Sequence, residues 1–207
     1  MDKLYKDIDS YYTKKIQQHG PTPQGVDWNS IDSQLLRFEQ LSKVISTKNN
    51  FSISDIGCGY GGYYGFILEK YEHFEYTGYD LSAQMINTAK SIHKDKLATF
   101  HHIDNLNNIQ TSDYSIASGI FNVKMDFSYD QWLKYILETL DIMNKKSTLG
   151  FSFNMLTKYS DTEYMKDNLY YGDPCFFFDY CKVNFSKNIS LNHDYELYEF
   201  TIIVRKD

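Results

Sequence analysis

The sequence is poor in arginine and contains no long apolar segment. Arginine occurs only at Arg37 and Arg205 among 207 residues, and the formal net charge of −6 includes no block of like charge. A protein whose main partner is a nucleic-acid backbone normally carries a basic stripe, so we expect no nucleic-acid partner. No apolar run approaches the roughly 20 residues that a membrane-spanning helix needs, so we also expect no membrane span.

Cysteine is scarce, and its spacing excludes two kinds of site. Cys58, Cys175 and Cys181 form no C-x-x-C pair, which argues against the common redox and zinc patterns. An odd number of cysteines favours free thiols in a reducing compartment. Residues 1–18 are polar and lack the apolar core of a signal peptide. We therefore expect a cytoplasmic protein.

Several catalytic signatures are missing as well. His101 and His102 have no carboxylate or cysteine at ligand spacing, so we expect no metal site. The sequence has no G-x-S-x-G segment of a serine hydrolase and no P-loop lysine. The sequence therefore does not indicate a metal site, a serine hydrolase or a P-loop nucleotide-binding protein.

The most informative stretch of the sequence is a glycine-rich turn. The apolar run 51–56 predicts a short buried strand, four glycines follow between Gly57 and Gly62, and residues 63–71 predict a helix. Strand, glycine turn and helix together form a corner that can hold a nucleotide. Glycine is needed there because the backbone must turn tightly and a ligand must approach without meeting a Cβ.

The glycine turn matches two cofactor-binding patterns. Gly57, Gly59 and Gly62 satisfy G-x-G-x-x-G, the pattern of dinucleotide-binding domains. Asp55, Gly57, Gly59 and Gly61 satisfy D-x-G-x-G-x-G, which resembles motif I of the class I S-adenosylmethionine-dependent methyltransferases. A carboxylate at the strand end suits a ligand with an amine and a sulfonium better than a pyrophosphate, so Asp55 favours the second pattern.

The rest of the chain alternates strands with helices, which implies a parallel sheet covered on both faces. The turn at residues 193–195 is too short for a helical crossover, so the last two strands must be antiparallel. The predicted strands are 51–56, 74–79, 97–103, 114–119, 148–153, 189–192 and 197–204, and the predicted helices are 3–18, about 32–45, 63–71, 82–93, 129–143 and 175–185.

This ending is similar to that of the class I methyltransferase fold, and the resemblance covers about residues 27–206. It implies an α/β fold with a seven-stranded Rossmann-like sheet, mostly parallel with a C-terminal antiparallel hairpin, and helices on both faces. We predict a single methyltransferase domain over residues 1–207, with an N-terminal helical lid over 1–28 and a substrate-side insertion over 154–174. The implied cofactor is S-adenosyl-L-methionine, with S-adenosyl-L-homocysteine as product.

The resemblance also implies cofactor-binding residues at the strand ends. Asp80 closes the second strand, where a carboxylate can accept both ribose hydroxyls; alternatively it caps the next helix. Leu81 would lie beside the adenine, and Met85 would cover it. Asp104 matches the acid that approaches the adenine amino group in the family, and Asn105 could serve equally; alternatively the two residues form a turn.

Further candidates lie before the glycine turn and after the fourth strand. Resemblance to several small-molecule methyltransferases implies that Arg37 pairs with the cofactor carboxylate, which a guanidinium fork suits; the alternative is a surface ion pair. Trp28 either closes over the cofactor or is a core aromatic. Gly119 would allow close approach in the segment that lines the methyl-transfer face in the family, and Asn122 could orient a substrate.

Methyl transfer needs alignment of the acceptor, exclusion of water and, for some acceptors, removal of a proton. We predict His19, Tyr171 and Asn122 as catalytic residues. Tyr11 and Tyr12 would join His19 in the helical lid.

The predicted acceptor is a small polar molecule, because the insertion before the last helix carries many polar side chains. The chain resembles bacterial methyltransferases of surface-polysaccharide biosynthesis, which implies O- or N-methylation of a sugar precursor or of a phosphate-like decoration. It lacks the Asn- or Asp-Pro-Pro-aromatic run of DNA amino-methyltransferases at residues 118–122, which argues against nucleobase methylation. Two alternatives stay open: an NAD-dependent oxidoreductase, and a non-catalytic cofactor-binding module of the same fold. The sequence predicts no oligomeric state.

Overall fold

A computed structural model of the chain describes residues 2–47, 49–94 and 97–206. Its seven-stranded sheet has the order β3-β2-β1-β4-β5-β7-β6. Strands β1 to β5 pair in parallel, whereas β7 runs antiparallel to both β5 and β6. The predicted sheet with its C-terminal antiparallel hairpin is therefore confirmed. The strands are β1 Phe51–Ile56, β2 Phe74–Asp80, β3 Ala98–His102, β4 Ser112–Ala117, β5 Ser147–Leu156, β6 Asn188–Asn192 and β7 Glu199–Arg205.

Most of the α-helices begin at a side chain that caps them. Ser30 accepts a hydrogen bond from Ser33 N at 3.2 Å, Ser82 accepts one from Met85 N at 3.3 Å, and Ser128 begins α5 with a capping box. The helices are α1 Asp2–His19, α2 Ile31–Ser42, α3 Gly62–Leu68, α4 Ala83–Ile92, α5 Tyr129–Lys146 and α6 Pro174–Asn184. Ser82 is thus the cap of α4, and Asp80 keeps its carboxylate for other contacts.

Strand β5 is longer than predicted and shortens the insertion. It continues to Leu156 because β7 pairs with it up to the Leu156–Glu199 position. Residues 154–156, predicted as the start of the insertion, therefore belong to the sheet. Pro174, predicted as its end, is the first residue of α6.

The helices cover both faces of the sheet with two apolar cores. One core joins buried side chains of α1, α5 and α6 to one face, and it includes Trp132, Phe153 and Phe200. The other joins α2, α3 and α4 to the opposite face, around Leu41 and Tyr64. The predicted covering of both faces is confirmed. Because β1, β2 and β4 run parallel, their carboxyl ends lie at one edge of the sheet.

The described residues include neither a candidate membrane-spanning helix nor a candidate metal-binding cluster. No helix among them has the length and apolar character needed to cross a membrane. Within the same residues, no three His, Cys, Asp or Glu side chains are grouped so that they could hold a metal ion.

Candidate cofactor and acceptor site

The glycine turn after β1 adopts the backbone conformation that only glycine enters easily. Gly57, Gly59 and Gly61 have φ values of +75°, +55° and +82°. A Cβ on Gly57 would lie 2.3 Å from Ile120 Cγ2, so a side chain is also excluded by contact. The amides of Gly57 and Cys58 donate to the carbonyl of Tyr79 at 2.8 and 3.0 Å, which ties the turn to the end of β2.

The Asp80 carboxylate is fixed across this turn. Its Oδ2 accepts a hydrogen bond from Gly59 N at 2.9 Å, and its Oδ1 accepts one from Ser82 N at 2.8 Å. Burial raises the pKa of Asp80 from 3.8 to about 6, although these two hydrogen bonds oppose the shift. A carboxylate can accept about four hydrogen bonds, so two positions stay free for donors of a ligand.

Asp55 forms a second buried carboxylate at the end of β1. The Tyr76 hydroxyl donates to its Oδ2 at 2.6 Å. Burial raises the pKa of Asp55 from 3.8 to about 7; the Tyr76 hydrogen bond lowers it, and the nearby charge of Asp80 raises it. Two carboxylates with raised pKa values favour a ligand that brings positive charge or hydrogen-bond donors.

A buried polar network holds the turn after β4. Asn154 Oδ1 accepts from Gly119 N at 2.8 Å, and Asn154 Nδ2 donates to Glu199 Oε2 at 2.7 Å. Arg37 donates to both Glu199 oxygens, at 2.9 and 2.8 Å. The Arg37 and Glu199 side chains are only 8% and 1% exposed, so the pair lies in the protein interior.

Trp28 links this network to the site. The Arg37 guanidinium carbon lies 3.9 Å from the centre of the Trp28 ring, within the range of a cation–π contact. A Cβ on Gly119 would lie 2.2 Å from Trp28 Cζ2, so the ring packs directly on this glycine. Arg37 and Gly119 therefore hold the Trp28 ring between them.

These elements surround a cavity with an empty volume of about 980 Å³, counted out to its open mouth. The ends of β1, β2 and β4 form its floor, and Ile8 and Tyr12 of α1 and residues 26–28 cover it. The cover is anchored at Asp27, which accepts from Tyr11 Oη and Lys15 Nζ, both at 2.6 Å.

Comparison with known proteins identifies the family. Residues 54–143 match a family model described as a methyltransferase domain. Over 164 residues the chain is 44% identical to "Putative methyltransferase Rv1506c" of Mycobacterium tuberculosis, an alignment that covers 79% of this chain and 98% of that protein. The chain belongs to the methyltransferase family.

Solved structures similar to this methyltransferase support the fold. The "DhpI-SAM-HEP complex" superposes with a TM-score of 0.69 at 13% identity and covers 98% of both chains. Magnesium protoporphyrin IX methyltransferase of Synechocystis PCC 6803, with bound SAH, gives a TM-score of 0.64 at 12% identity and covers 98% of this chain and 99% of that one. The predicted class I methyltransferase fold is confirmed.

The methyltransferase cavity is lined by nine of the fifteen residues predicted for the site. Eight come from the cover or from the segments at and after the strand ends, and Met85 comes from the first turn of α4. They are Trp28, Asp55, Gly57, Gly59, Asp80, Leu81, Met85, Gly119 and Asn122.

The other six predicted residues lie outside the cavity lining. Asp104 and Asn105 are exposed, because the chain turns away after β3: Asp104 accepts from Asn108, and Asn105 caps the short helix Leu106–Asn108. Ile103 and Leu106 line the cavity instead. Gly61 ends the turn as the N-cap of α3, where a Cβ would meet the His93 ring at 2.7 Å.

The last three predicted site residues outside the cavity lining are His19, Tyr171 and Arg37. His19 is exposed at the end of α1, and the Tyr171 hydroxyl accepts from Lys166 N at 2.9 Å. Arg37 is neither a surface ion pair nor a lining residue, because Glu199 holds it in the interior. Its Nη1 is buried and has no hydrogen-bond partner among the described residues, so a contact with a cofactor carboxylate stays a prediction.

Several lining residues, Asp27, Ser118 and Tyr135 among them, are not among the predicted site residues. Asp27 stands in a polar segment without a pattern, whereas Ser118 belongs to the segment 118–122, which the family resemblance places at the methyl-transfer face. Tyr135 could have been found, since it follows Trp132 by three residues and so shares the inner face of α5. Gln34, one turn before Arg37, lines the cavity and accepts from Tyr60 Oη at 3.2 Å.

Proposed function

We propose that the protein transfers a methyl group from S-adenosylmethionine to a small polar molecule. The observation that carries the proposal is the Asp80 carboxylate, fixed by Gly59 N and Ser82 N across a turn of three left-handed glycines. S-adenosylmethionine is the cofactor, and it supplies an electrophilic methyl group on a sulfonium. The two buried carboxylates and the Cβ-free turn fit a ligand that carries an amine, a sulfonium and a ribose.

The lining residues divide by the cofactor group that each can hold. We assign the ribose hydroxyls to Asp80, the adenine to Leu81 and Met85, and the amine to the side of Asp55. Ile103 and Leu106 add apolar surface for the adenine, in place of the predicted contacts from Asp104 and Asn105. Gln34 is a further candidate for binding the cofactor carboxylate, because Gln34 lines the cavity and Arg37 does not.

The acceptor end is assigned to the turn after β4 and to the cover. Asn122 Oδ1 accepts from Leu156 N at 3.0 Å, and its carbonyl accepts from Tyr170 N at 2.8 Å, so the insertion packs beside it. This supports a role for Asn122 in orienting the acceptor and for the insertion on the substrate side. We propose residues 1–28 as a lid on one methyltransferase domain. A catalytic role for His19 or Tyr171 stays a prediction without support from their positions.

Several finer points stay proposals. The free thiols of Cys58, Cys175 and Cys181 suit a cytoplasmic location. A role in surface-polysaccharide biosynthesis rests on the sequence resemblance alone. An NAD-dependent oxidoreductase is not favoured, since the chain belongs to the methyltransferases. A methyl-transfer assay would distinguish an enzyme from a non-catalytic cofactor-binding module of the same fold.

Titration calorimetry tests the proposal. S-adenosylhomocysteine should bind the protein, and Gly59→Arg should abolish binding, because its side chain would enter the turn beside Val26. NADH should give no heat of binding. Single-turnover loss of the labelled methyl group with cell extract would separate an enzyme from a binding module. Failure of the unmodified protein to bind S-adenosylhomocysteine would refute the proposal.

A further inference from the structure

The charged side chains that line the cavity are all acidic. They are Asp27, Asp55 and Asp80, and the described part of the chain contributes no Lys, Arg or His to the lining. The two basic side chains behind the wall already have partners, since Lys15 binds Asp27 and Arg37 binds Glu199. An acceptor with a phosphate or carboxylate group would therefore enter the cavity without a cation to pair with it.

The acceptor end retains unsatisfied polar groups. Asn122 is only 6% exposed, and its Nδ2 has no hydrogen-bond partner among the residues that the structure describes. Ser118 Oγ is buried without a partner in the same set. Each Asp27 oxygen accepts one hydrogen bond from the cover, which leaves about two of the four acceptor positions of the carboxylate.

No group at this end can readily remove a proton from an alcohol. The described lining has no histidine. Burial raises the pKa of Tyr12 well above its usual range, and burial likewise raises that of Tyr135, so neither exists as a phenolate near neutral pH. The Asp27 carboxylate already accepts hydrogen bonds from the Tyr11 hydroxyl and the Lys15 ammonium. An ammonium, whose proton can pass to water before the transfer, fits this environment better than an alcohol.

We propose that the methyl acceptor is an amine, recognised by Asp27 and by the rings of Tyr12, Trp28 and Tyr135. This inference rests on the proposed function. The ammonium first loses a proton to water. The nitrogen lone pair then forms the new N–C bond while the S–C bond of the sulfonium breaks and its electron pair stays on sulfur. The positive charge moves to nitrogen, where the carboxylate and the aromatic faces stabilise it, and a proton on that nitrogen leaves to water.

The test compares three probes that share one aromatic body: 2-phenylethylamine, 2-phenylethanol and phenylacetate. Their binding to protein saturated with S-adenosylhomocysteine is measured by calorimetry at millimolar probe concentration. We expect the amine to bind about tenfold tighter than either other probe, a difference of about 1.4 kcal/mol.

Two variants with opposite effects separate recognition from a structural role. Asp27→Asn tolerates the φ of +65° at this position and can still accept from Tyr11, but it should remove the preference for the amine. Lys15→Gln leaves the Asp27 charge uncompensated and should increase the preference. The exposed Asp130→Asn serves as the control and should change nothing.

Each other outcome has a defined meaning. If S-adenosylhomocysteine fails to bind, the proposed function itself fails. If it binds, the amine proposal is overturned by equal or tighter binding of phenylacetate or 2-phenylethanol, by a preference that survives Asp27→Asn, or by the absence of binding of all three probes.

Discussion

The ion pair between Arg37 and Glu199 allows a quantitative test of how the site is held. Replacing Glu199 by Gln keeps the shape of the side chain but leaves the Arg37 guanidinium as an unpaired cation in the interior. Its Nη1 has no partner among the described residues even in the intact pair. The nearest compensation is the face of Trp28, which lies 3.9 Å from the guanidinium carbon.

The expected loss follows from burial. Removing one partner of a buried ion pair typically costs 3–5 kcal/mol, because the other charge stays desolvated. Gln can still accept one hydrogen bond from Arg37, so we expect the lower end, about 3 kcal/mol. Small proteins unfold at a cost of only about 5–15 kcal/mol, so this loss is a large share of the total. The double variant Arg37→Met/Glu199→Gln removes the unpaired charge and should be more stable than Glu199→Gln alone.

Urea unfolding followed by circular dichroism measures these differences. The matched control is Glu39→Gln, which breaks an exposed pair with Lys70 and should cost about 0–1 kcal/mol. If Glu199→Gln does not fold, recovery of folding in the double variant gives the same information. The reasoning would be refuted if Glu199→Gln cost no more than Glu39→Gln, or if the two substitutions in the double variant were simply additive.

Four further predictions concern residues of the cavity. Gly119→Ala drives a Cβ into Trp28, so it should lower the free energy of unfolding by about 1–3 kcal/mol beyond the backbone strain and weaken S-adenosylhomocysteine binding. The control Gly20→Ala, at a φ of +66° with open space around the Cβ, should show only the backbone strain. Equal losses of stability in the two variants would contradict this prediction. Asp80→Asn should weaken S-adenosylhomocysteine binding in calorimetry by roughly tenfold or more, and Asp104→Asn should leave this binding unchanged. Equal effects of the two substitutions would indicate that Asp104 also contacts the cofactor. S-adenosylhomocysteine affinity should rise about tenfold from pH 5 to pH 7, because Asp80, with a pKa of about 6, must lose its proton to accept from ribose hydroxyls. An affinity that did not change with pH would contradict this assignment. The raised pKa also means that the contribution of Asp80 to the stability of the free protein should fall as the pH rises from about 4 to 6, because this carboxyl ionises at lower pH in the unfolded chain.

The agreement between sequence and structure is best where neighbours in the chain determine the outcome. The glycine turn, the Asp80 position and the last hairpin depend on residues close together in sequence, and all were placed correctly. Helix and strand ends were less accurate, as in β5, because pairing with β7 extends that strand and no local pattern indicates this.

The sequence by itself indicated the alternation of strands and helices and the glycine turn, since spacing and residue type act locally there, and it favoured S-adenosylmethionine over a dinucleotide. Only the tertiary structure decided that Glu199, 162 residues away, takes the Arg37 guanidinium. It also placed Asp27 over the cavity and turned Asp104 away from it. These contacts join distant segments, and which segments meet depends on how the two apolar cores pack, a property that no short stretch of sequence contains.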